Sequence, residues 1–330
     1  MQQYMPGLKK LGIDLTECSS HVGSIPPEQK WVRPGWMLSN VIEHIPSALR
    51  SHGYDAVLLH RELLSTCVTL EPFVKRPRIL DVDDAIWVNR GGKFARRLAR
   101  LVDCVICGNT FLAEQFGQWN PNVTVLPTAV DTGRFVPQER ANRDSQPVVG
   151  WLGLSAGFQF LYGIELALKE LMRRNLSLVL RIVSNKPPQF RSLPQERVQF
   201  VPYTREQEVQ EIQRMSIGIM PLDDSVASRG KCSFKMLQYM ACGLPVVVSR
   251  VGMNEEVLQR GEVGLGVRDW REWVESIETL ARNPELGARM GKAGREAVER
   301  HYSLNALLPR LAEILGRVVG RQQSLSCVAS

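Results

Sequence analysis

Short apolar runs alternate with amphipathic segments along the whole chain. The amphipathic segments predict helices, for example over residues 161–174, 205–215 and 270–281, because their apolar positions recur every three or four residues. The apolar runs predict strands at residues 12–16, 56–59, 78–81, 104–107, 123–126, 148–152, 177–183, 198–201, 216–220, 245–248 and 264–267. Short strands that alternate with helices are typical of parallel βαβ units, so the predicted fold class is α/β with doubly wound sheets.

One polar stretch, residues 136–147, interrupts this alternation and predicts a linker between two domains. The chain has 330 residues, of which 44% are hydrophobic, and this is enough for two domains with separate cores. Ligands of doubly wound sheets bind at the carboxyl ends of the strands. We therefore expect a ligand crevice between the two domains.

The N-terminal domain lacks the strand and glycine-rich turn with which such a domain usually begins. Residues 1–10 have the pattern of a helix and lead directly into the 12–16 strand. A missing strand would leave an unpaired sheet edge and a gap in the core. A start codon placed too late, a fragment and a remodelled fold all remain open as explanations.

Membrane spans and metal sites find little support in the composition. The chain contains no apolar run long enough to cross a bilayer and no secretory leader, which predicts a cytoplasmic protein, soluble or peripheral at the inner face of a membrane. The 7 cysteines are an odd number without the spacing of a disulfide framework. Cys104 and Cys107 have metal-ligand spacing, but they lie in a predicted buried strand without a second ligand pair. We therefore predict no metal at these cysteines.

The formal net charge of +7 favours an anionic partner, such as nucleotide phosphates or an anionic membrane surface. No nucleic-acid-binding motif accompanies this charge, so nucleic acid is not an expected partner. The densest basic patch, residues 93–100, has its cations along one side of a predicted helix. This side fits contact with a membrane, although a plain solvated face is the favoured interpretation.

Residues 229–249 carry the most informative pattern. A helix over about residues 232–242 would place Lys231, Lys235 and Gln238 on one side, and Gly243 would end it before an apolar strand. Lysines at the start of a helix form an anion site, and an amide one turn further can bind sugar hydroxyls. The pattern therefore suits a phosphate with an attached sugar, although a solvated helix face would look the same.

This segment, which reads Arg-Gly-Lys-Cys-Ser-Phe-Lys-Met-Leu-Gln-Tyr-Met-Ala-Cys-Gly-Leu-Pro-Val-Val-Val-Ser, resembles the donor-binding motif of family 4 glycosyltransferases of the GT-B fold. The resemblance extends in order and spacing through residues 249–257, 261–265, 270–273, 283–286, 290–295 and 301–304. The Arg-Gly-Lys-Cys sequence at 229–232 resembles one branch of that family.

The resemblance implies two Rossmann-like domains facing across a cleft, with an acceptor-side domain at residues 1–140 and a nucleotide-sugar-binding domain at 141–304. Residues 305–330 would form a helix returning toward the first domain, plus a tail. The implied reaction is retaining transfer of a sugar from a nucleotide diphosphate to a hydroxyl acceptor, in polysaccharide, lipid-linked or other cell-envelope glycan synthesis. The nucleotide sugar is a co-substrate, and no cofactor or metal is implied.

The chain departs from the family in its charged donor residues. The family's two glutamates, seven residues apart, align with Gly230 and Gln238, and the 150–157 loop lacks the family's Arg and Lys. We infer that Arg229, Lys231 and Lys235 neutralise the diphosphate and are the catalytic residues.

Further donor-side residues are expected after other strands. They are Gln238 for the ribose, Ser155 in the 150–157 loop, Tyr203 in the turn that resembles the family's base-binding turn, and the group Gly252, Met253, Asn254 and Glu255, where a backbone site and a helix start are expected. A loop that only packs is the alternative at Tyr203. An ordinary turn capped by Asn254 is the other interpretation of residues 252–255, and it is compatible with a phosphate site there.

The acceptor-side candidates also follow strands. They are His60, Arg61, Glu62, Asp83, Asp84 and Asn109. Asp83 and Asp84 are equally suited to bind an acceptor hydroxyl or to cap the next helix, and Asn109 also suits a cap.

Two other functions are alternatives to sugar transfer. A catalytically silent GT-B module that binds a nucleotide or scaffolds partners would explain the absent first strand and the absent glutamate pair. A GT-B epimerase or phosphorylase is disfavoured, because neither a cofactor lysine motif nor a matching histidine pattern is present.

Overall fold

The computed structural model describes residues 1–18, 27, 29–60, 63, 67–138, 146–174 and 177–328. The chain divides into two compact units. Unit 1 comprises Met1–Thr128, Gly230–Cys232 and Leu307–Ser330, and unit 2 comprises Ala129–Arg229 and Ser233–Ala306.

Unit 1 contains a parallel sheet with the strand order β1-β2-β3-β4. The strands are β1 (Val57–His60), β2 (Arg78–Val82), β3 (Cys104–Cys107) and β4 (Val123–Val125). The two central strands, β2 and β3, are almost wholly buried, as expected for a parallel sheet covered on both faces.

The helices of unit 1 are α1 (Met5–Lys10), α2 (Arg33–Arg50), α3 (Lys93–Leu101) and α4 (Thr110–Gly117). Helix α3 buries Phe94 and Leu98 and exposes its Lys and Arg side chains, so its amphipathic pattern explains its orientation. The last helix, α13 (Leu304–Val328), contributes its residues from Leu307 onward to this unit. There Arg310 donates from Nη2 to the Val125 carbonyl at 3.2 Å.

The predicted strand at 12–16 was wrong. Residues 13–18 have no regular structure, and the Ile13 amide closes the end of α1 by donating to the Leu8 carbonyl at 3.0 Å. A strand forms only where a neighbouring strand pairs with its backbone, and within the described residues β1 pairs with β2 alone. The other ten predicted strands are confirmed within one or two residues.

Unit 2 contains a six-stranded parallel sheet with the order β10-β9-β8-β5-β6-β7. The strands are β5 (Val148–Leu152), β6 (Val179–Ser184), β7 (Val198–Pro202), β8 (Ile217–Met220), β9 (Val246–Ser249) and β10 (Gly264–Val267). Along the chain, β6 and β7 are added on one side of β5, and β8, β9 and β10 are then added on its other side. The order therefore reverses between β5 and β8, and this switch point is where such sheets bind ligands.

The helices of unit 2 are α5 (Phe158–Gly163), α6 (Glu165–Arg173), α7 (Glu208–Gln213), α8 (Val226–Arg229), α9 (Phe234–Ala241), α10 (Met253–Leu258), α11 (Trp270–Arg282) and α12 (Pro284–His301). The predicted 161–174 helix is two helices, separated at Ile164. Gly243 ends the α9 turn with a φ of 70°, which confirms its predicted role after the helix. No helix in the described part of the chain combines the length and apolarity needed to cross a membrane.

Candidate active site

The switch point of the unit 2 sheet is occupied by a lysine. Lys235 lies in the first turn of α9, and its Nζ is 4.7 Å from the centre of the Trp151 ring in β5. The same Nζ would be 2.5 Å from a Cβ added to Gly153, the residue that follows β5. The turn after β5 contains no cation of its own in residues 153–157, and α9 supplies one.

Helix α9 begins later than expected. Ser233, at its N-cap, adopts a left-handed backbone with φ 50° and ψ 23°, so the helix starts at Phe234 rather than near 232. Lys231 therefore lies outside the helix. The prediction that it shares a helix face with Lys235 and Gln238 is wrong. The Ser233 hydroxyl, rather than capping α9, donates to Asn254 Oδ1 at 2.7 Å.

Gln238 lies on the buried side of α9. Its Nε2 donates to Glu208 Oε1 at 2.9 Å, and Arg134 Nη2 donates to Glu208 Oε2 at 2.7 Å. Burial, followed by the nearby Glu208 carboxylate, raises the pKa of Tyr203, which is partly exposed. These four side chains form a polar cluster in unit 2. The sequence did not point to Glu208, although an acidic residue in the first turn after β7 could have done so.

Arg229 is held by an acidic partner. Its Nε and Nη2 donate to Asp224 at 2.7 and 2.9 Å. This hydrogen bond raises the pKa of Arg229 and lowers the pKa of Asp224, and both side chains are substantially exposed. The structure therefore brings Lys235, but not the Arg229 guanidinium, over the turn after β5.

The turn after β9 is tightly built. Gly252 has φ 53° and ψ −133°, and a Cβ there would lie 2.6 Å from the Arg229 carbonyl oxygen. Asn254 is fully buried and donates from Nδ2 to the Ser249 carbonyl at 3.1 Å. Helix α10 is preceded by Gly252 without a side-chain cap, so the alternative of an Asn254 cap is wrong.

The remaining donor-side candidates lie around these turns. Met253 is buried, and Glu255 is paired with Arg250 at 2.8 Å. The Ser155 amide donates to Asn185 Oδ1 at 2.8 Å, which joins the turn after β5 to the turn after β6. Asn185 was missed by the sequence reasoning, although its position directly after a strand is a usable signal.

The carboxyl edge of the unit 1 sheet carries a His–Asp pair. His60 and Asp81 are register partners at the ends of β1 and β2, and His60 Nδ1 lies 3.0 Å from Asp81 Oδ2. The hydrogen bond to Asp81 raises the pKa of His60. Arg61 and Glu62, predicted beside His60, lie outside the described residues.

The segment Gly230–Cys232 is fixed on the same edge of unit 1. Asn109 Nδ2 donates to the Lys231 carbonyl at 3.1 Å, and the Cys232 thiol donates to the Asp83 carbonyl at 3.1 Å. Burial raises the pKa of Cys232 to about 12, so the thiol stays protonated and can donate this bond at neutral pH. Gly230 comes close to Ala85, where a side chain would not fit without a shift.

Two alternatives raised for this edge are resolved in part. Asn109 does cap α4, because its Oδ1 accepts from the Leu112 amide at 2.8 Å. No side chain that the structure describes caps the short helical turn that begins at Ile86, and Asp84 Oδ1 accepts from the Ala85 amide at 3.1 Å. Over the described residues, no three His, Cys, Asp or Glu side chains are grouped to hold a metal ion.

Comparison with known proteins gives this architecture a context. Residues 147–283 match a family described as glycosyl transferases group 1. A segment of 78 residues is 32% identical to a trehalose synthase of Pyrococcus horikoshii, covering 24% of this chain and 19% of that protein. The matched segments span about a fifth of the length of the curated relatives.

Solved structures match over most of the chain. A sucrose-phosphate synthase of Thermosynechococcus elongatus has a TM-score of 0.71 at 17% identity, covering 97% of this chain and 92% of that one. An Anabaena protein named HepE, solved with UDP and glucose, has a TM-score of 0.67 at 14% identity, covering 84% of this chain and 82% of that one. These likenesses confirm the predicted α/β class with two Rossmann-like domains of the GT-B type.

Proposed function

We propose that this chain, whose residues 147–283 match the glycosyl transferases group 1 family, is a retaining glycosyltransferase. It moves a sugar from a nucleotide diphosphate sugar to a hydroxyl acceptor. The observation that carries the proposal is the position of Lys235, with Nζ 4.7 Å from the Trp151 ring and above the turn that follows β5. A cation at a helix start beside a sheet switch point suits a diphosphate.

Sugar transfer is difficult chiefly because a diphosphate must leave with an added negative charge. The bond from the anomeric carbon to the diphosphate oxygen breaks, and a bond from that carbon to the acceptor oxygen forms on the same face. The diphosphate takes up the acceptor proton. Lys235 and the backbone N–H groups at the start of α9 stabilise the charge that develops on the leaving oxygen.

Other groups around these turns are proposed to hold the donor. Gln238, one turn along α9 from Lys235, is placed to meet the ribose, and Tyr203 the base. Ser155 and the residues from Gly252 to Glu255 would line the phosphate and sugar. Since the Anabaena structure contains UDP, UDP is the first nucleotide to test.

The acceptor is proposed to meet the carboxyl edge of the unit 1 sheet, where His60, Asp83, Asp84, Asn109 and Lys231 lie. A glycan, a lipid-linked glycan and a small molecule are the acceptor classes, within cell-envelope glycan synthesis. The protein works on the cytoplasmic side, where nucleotide sugars are supplied as co-substrates, and no cofactor is needed.

Thermal unfolding with UDP, GDP and ADP, and with their sugars, tests the donor site. We expect one nucleotide to raise the melting temperature of the wild type, and Lys235→Ala to lose this shift. Lys169→Ala, which removes an exposed lysine from α6, is the matched control and should keep the shift. No shift with any nucleotide, from a folded wild type, would reject the proposal.

A silent nucleotide-binding module is the second candidate. It is favoured by one observation, which is that Gly230 and Gln238 stand where the family has two carboxylates. It predicts a nucleotide-dependent shift without release of sugar from the donor. Release of free sugar from the bound nucleotide sugar, lost in Lys235→Ala, would decide for the enzyme.

We also propose that unit 1 contacts an anionic membrane surface. Helix α2 turns Asn40 and His44 inward and exposes a stripe of large apolar side chains, namely Leu38, Ile42, Ile45 and Leu49. Helix α3 exposes four cations, namely Lys93, Arg96, Arg97 and Arg100. Both helices lie against the turn Glu71–Phe73, whose Phe73 is exposed. An apolar stripe near a cluster of cations suits an anionic bilayer.

Sedimentation with lipid vesicles tests this contact. We expect binding to phosphatidylserine-containing vesicles but not to pure phosphatidylcholine vesicles, and loss of binding in Ile42→Glu. Leu166→Glu, at an exposed apolar position of α6 in unit 2, should bind as the wild type does. Equal sedimentation with both vesicle types, or none, would contradict the contact.

A further inference from the structure

A buried carboxylate stands next to Gln238. Glu208 opens helix α7 directly after the turn that follows β7, and only 7% of its side chain is exposed. Its two oxygens accept from different side chains, Oε1 from Gln238 Nε2 at 2.9 Å and Oε2 from Arg134 Nη2 at 2.7 Å. All three residues belong to unit 2.

Taking a carboxylate out of water is costly unless charge and hydrogen bonds compensate for the lost hydration. Arg134 supplies the opposite charge here, and Gln238 supplies one hydrogen bond. The Tyr203 hydroxyl also hydrogen-bonds to Glu208. Each carboxylate oxygen has two acceptor sites, so these three bonds still leave acceptor capacity on the carboxylate. Because the Gln238 NH₂ group donates to Glu208, the amide oxygen is the part of the Gln238 side chain that can accept a hydrogen bond.

The position of Glu208 and Gln238 relative to Lys235 indicates which donors of a ligand could hydrogen-bond to them. Gln238 lies three residues after Lys235 on α9, which is about one helical turn or 5 Å along the axis. If Lys235 holds a diphosphate, the ribose attached to that diphosphate lies about this far away. A ribose presents two neighbouring hydroxyls, which are donors and need acceptors. The partly exposed Tyr203, whose pKa is raised in part by Glu208, offers an aromatic face beside the same carboxylate.

We infer that the Glu208 carboxylate accepts hydrogen bonds from the ribose hydroxyls of the bound nucleotide. Gln238 holds this carboxylate in place and adds a second acceptor. The inference rests on the proposed nucleotide site. The chain thus has an acidic group beside Gln238, where the family has its second glutamate, but supplies it from α7 instead of α9. A purely structural role, in which Glu208 only anchors Arg134, makes a different prediction, since it gives no reason to distinguish ribose from deoxyribose.

The test compares binding of UDP and 2′-deoxy-UDP by calorimetry, or of the corresponding pair if the panel selects another base. A hydrogen bond to a charged acceptor corresponds to a preference of about 10- to 100-fold for the ribonucleotide in the wild type. Glu208→Gln should reduce this preference to about threefold or less. Lys235→Ala should weaken both ligands and keep their ratio.

Glu211→Gln is the matched control. Glu211 is the next buried glutamate of α7 and pairs with Arg181 and Arg214, so the substitution makes the same chemical change on the same helix. It should leave the preference for ribose unchanged. If Glu208→Gln also keeps the full preference, the inference is overturned while the nucleotide site stands. If the wild type binds neither ligand, the proposed function itself fails.

A swapped pair covers the case in which Glu208→Gln does not fold. The double variant Glu208→Gln, Gln238→Glu keeps one carboxylate and one amide at the same place. We expect it to prefer UDP over 2′-deoxy-UDP by at least about tenfold. A folded swap without this preference would overturn the inference.

Discussion

Lys235 lies over the indole ring of Trp151, with Nζ 4.7 Å from the ring centre. The two residues come from different elements, since Trp151 is in β5 and Lys235 is in α9. The negative face of the ring stabilises the ammonium group and directs it toward the turn at Gly153. The cation is thus pre-positioned at the switch point of the sheet.

This arrangement predicts that Lys235 matters for nucleotide binding and little for folding. Lys235→Met should weaken binding of the nucleotide diphosphate by at least about tenfold, because a charge-assisted bond to phosphate is lost. The free energy of unfolding should change by no more than about 1 kcal/mol, the usual contribution of a cation–π contact at a partly exposed site. Calorimetry and urea unfolding measure the two effects. An unchanged affinity would remove Lys235 from the site.

The turn at Gly252 predicts a steric effect. Gly252→Ala would place a Cβ 2.6 Å from the backbone oxygen of Arg229, at a residue with φ 53°. Such a backbone is costly for a residue with a side chain, so we expect destabilisation of about 1–3 kcal/mol, with weaker nucleotide binding. Urea unfolding gives the first value and calorimetry the second.

Gly163→Ala is the control for this prediction. Gly163 ends α5, and a Cβ there would meet nothing within 4 Å. Alanine should be neutral or slightly stabilising at this position, because it restricts the unfolded chain. Equal losses of stability in the two variants would show that the contact with Arg229 is not the cause.

The His60–Asp81 pair predicts a dependence of stability on pH. The hydrogen bond raises the pKa of His60 in the folded state above its ordinary value of 6.5. The stabilisation is therefore fully present below pH 6.5 and is lost as the pH rises through the raised pKa. Because 55% of the His60 side chain is exposed, solvent screening should keep the contribution below about 1 kcal/mol.

Urea unfolding of the wild type and of His60→Gln at about pH 5.5 and about pH 8.5 measures this contribution. The wild type should exceed the variant in stability at the lower pH, and the difference should shrink at the higher pH. A difference that grows with pH would have the wrong sign for a histidine stabilised in its charged form. Asp81→Asn should reduce the dependence, because the asparagine carries no charge and only the smaller effect of Asp83 on the pKa of His60 is left.

The sheets could be predicted from the sequence because their strands are short apolar runs. The strands β3, β5 and β10 were placed at their observed bounds by this pattern alone. The exception, residues 12–16, shows the limit of the method. An apolar run reports that a segment can be buried, whereas a strand also needs a neighbouring strand, and that depends on the rest of the sheet.

The site was predictable to a smaller degree. The lysine at 235 follows from its place at a helix start, but its contact with Trp151 joins positions 84 residues apart and leaves no local signal. Glu208 and Gln238 are 30 residues apart, and only the fold brings them together. Lys231 lies outside the helix because Ser233 has a left-handed backbone. A serine in the sequence does not predict this conformation, which is typical of glycine.

Asn109 makes two separable contributions in unit 1. Its Oδ1 caps α4 at the Leu112 amide, 2.8 Å away, and its Nδ2 donates to the Lys231 carbonyl at 3.1 Å. Asn109→Ser keeps a capping oxygen and removes the donor, so it should cost about 1 kcal/mol for the one lost hydrogen bond. Asn109→Ala removes both and should cost about 1 kcal/mol more, the usual contribution of a cap.

Urea unfolding of the wild type and the two variants separates the contribution of the cap from that of the bond to Lys231. Equal stability of the Ser and Ala variants would show that the cap contributes nothing. A Ser variant as stable as the wild type would show instead that the bond to Lys231 does not hold the 230–232 segment. In that case the position of the Lys231 backbone on this edge would depend on the Cys232 thiol and its bond to the Asp83 carbonyl.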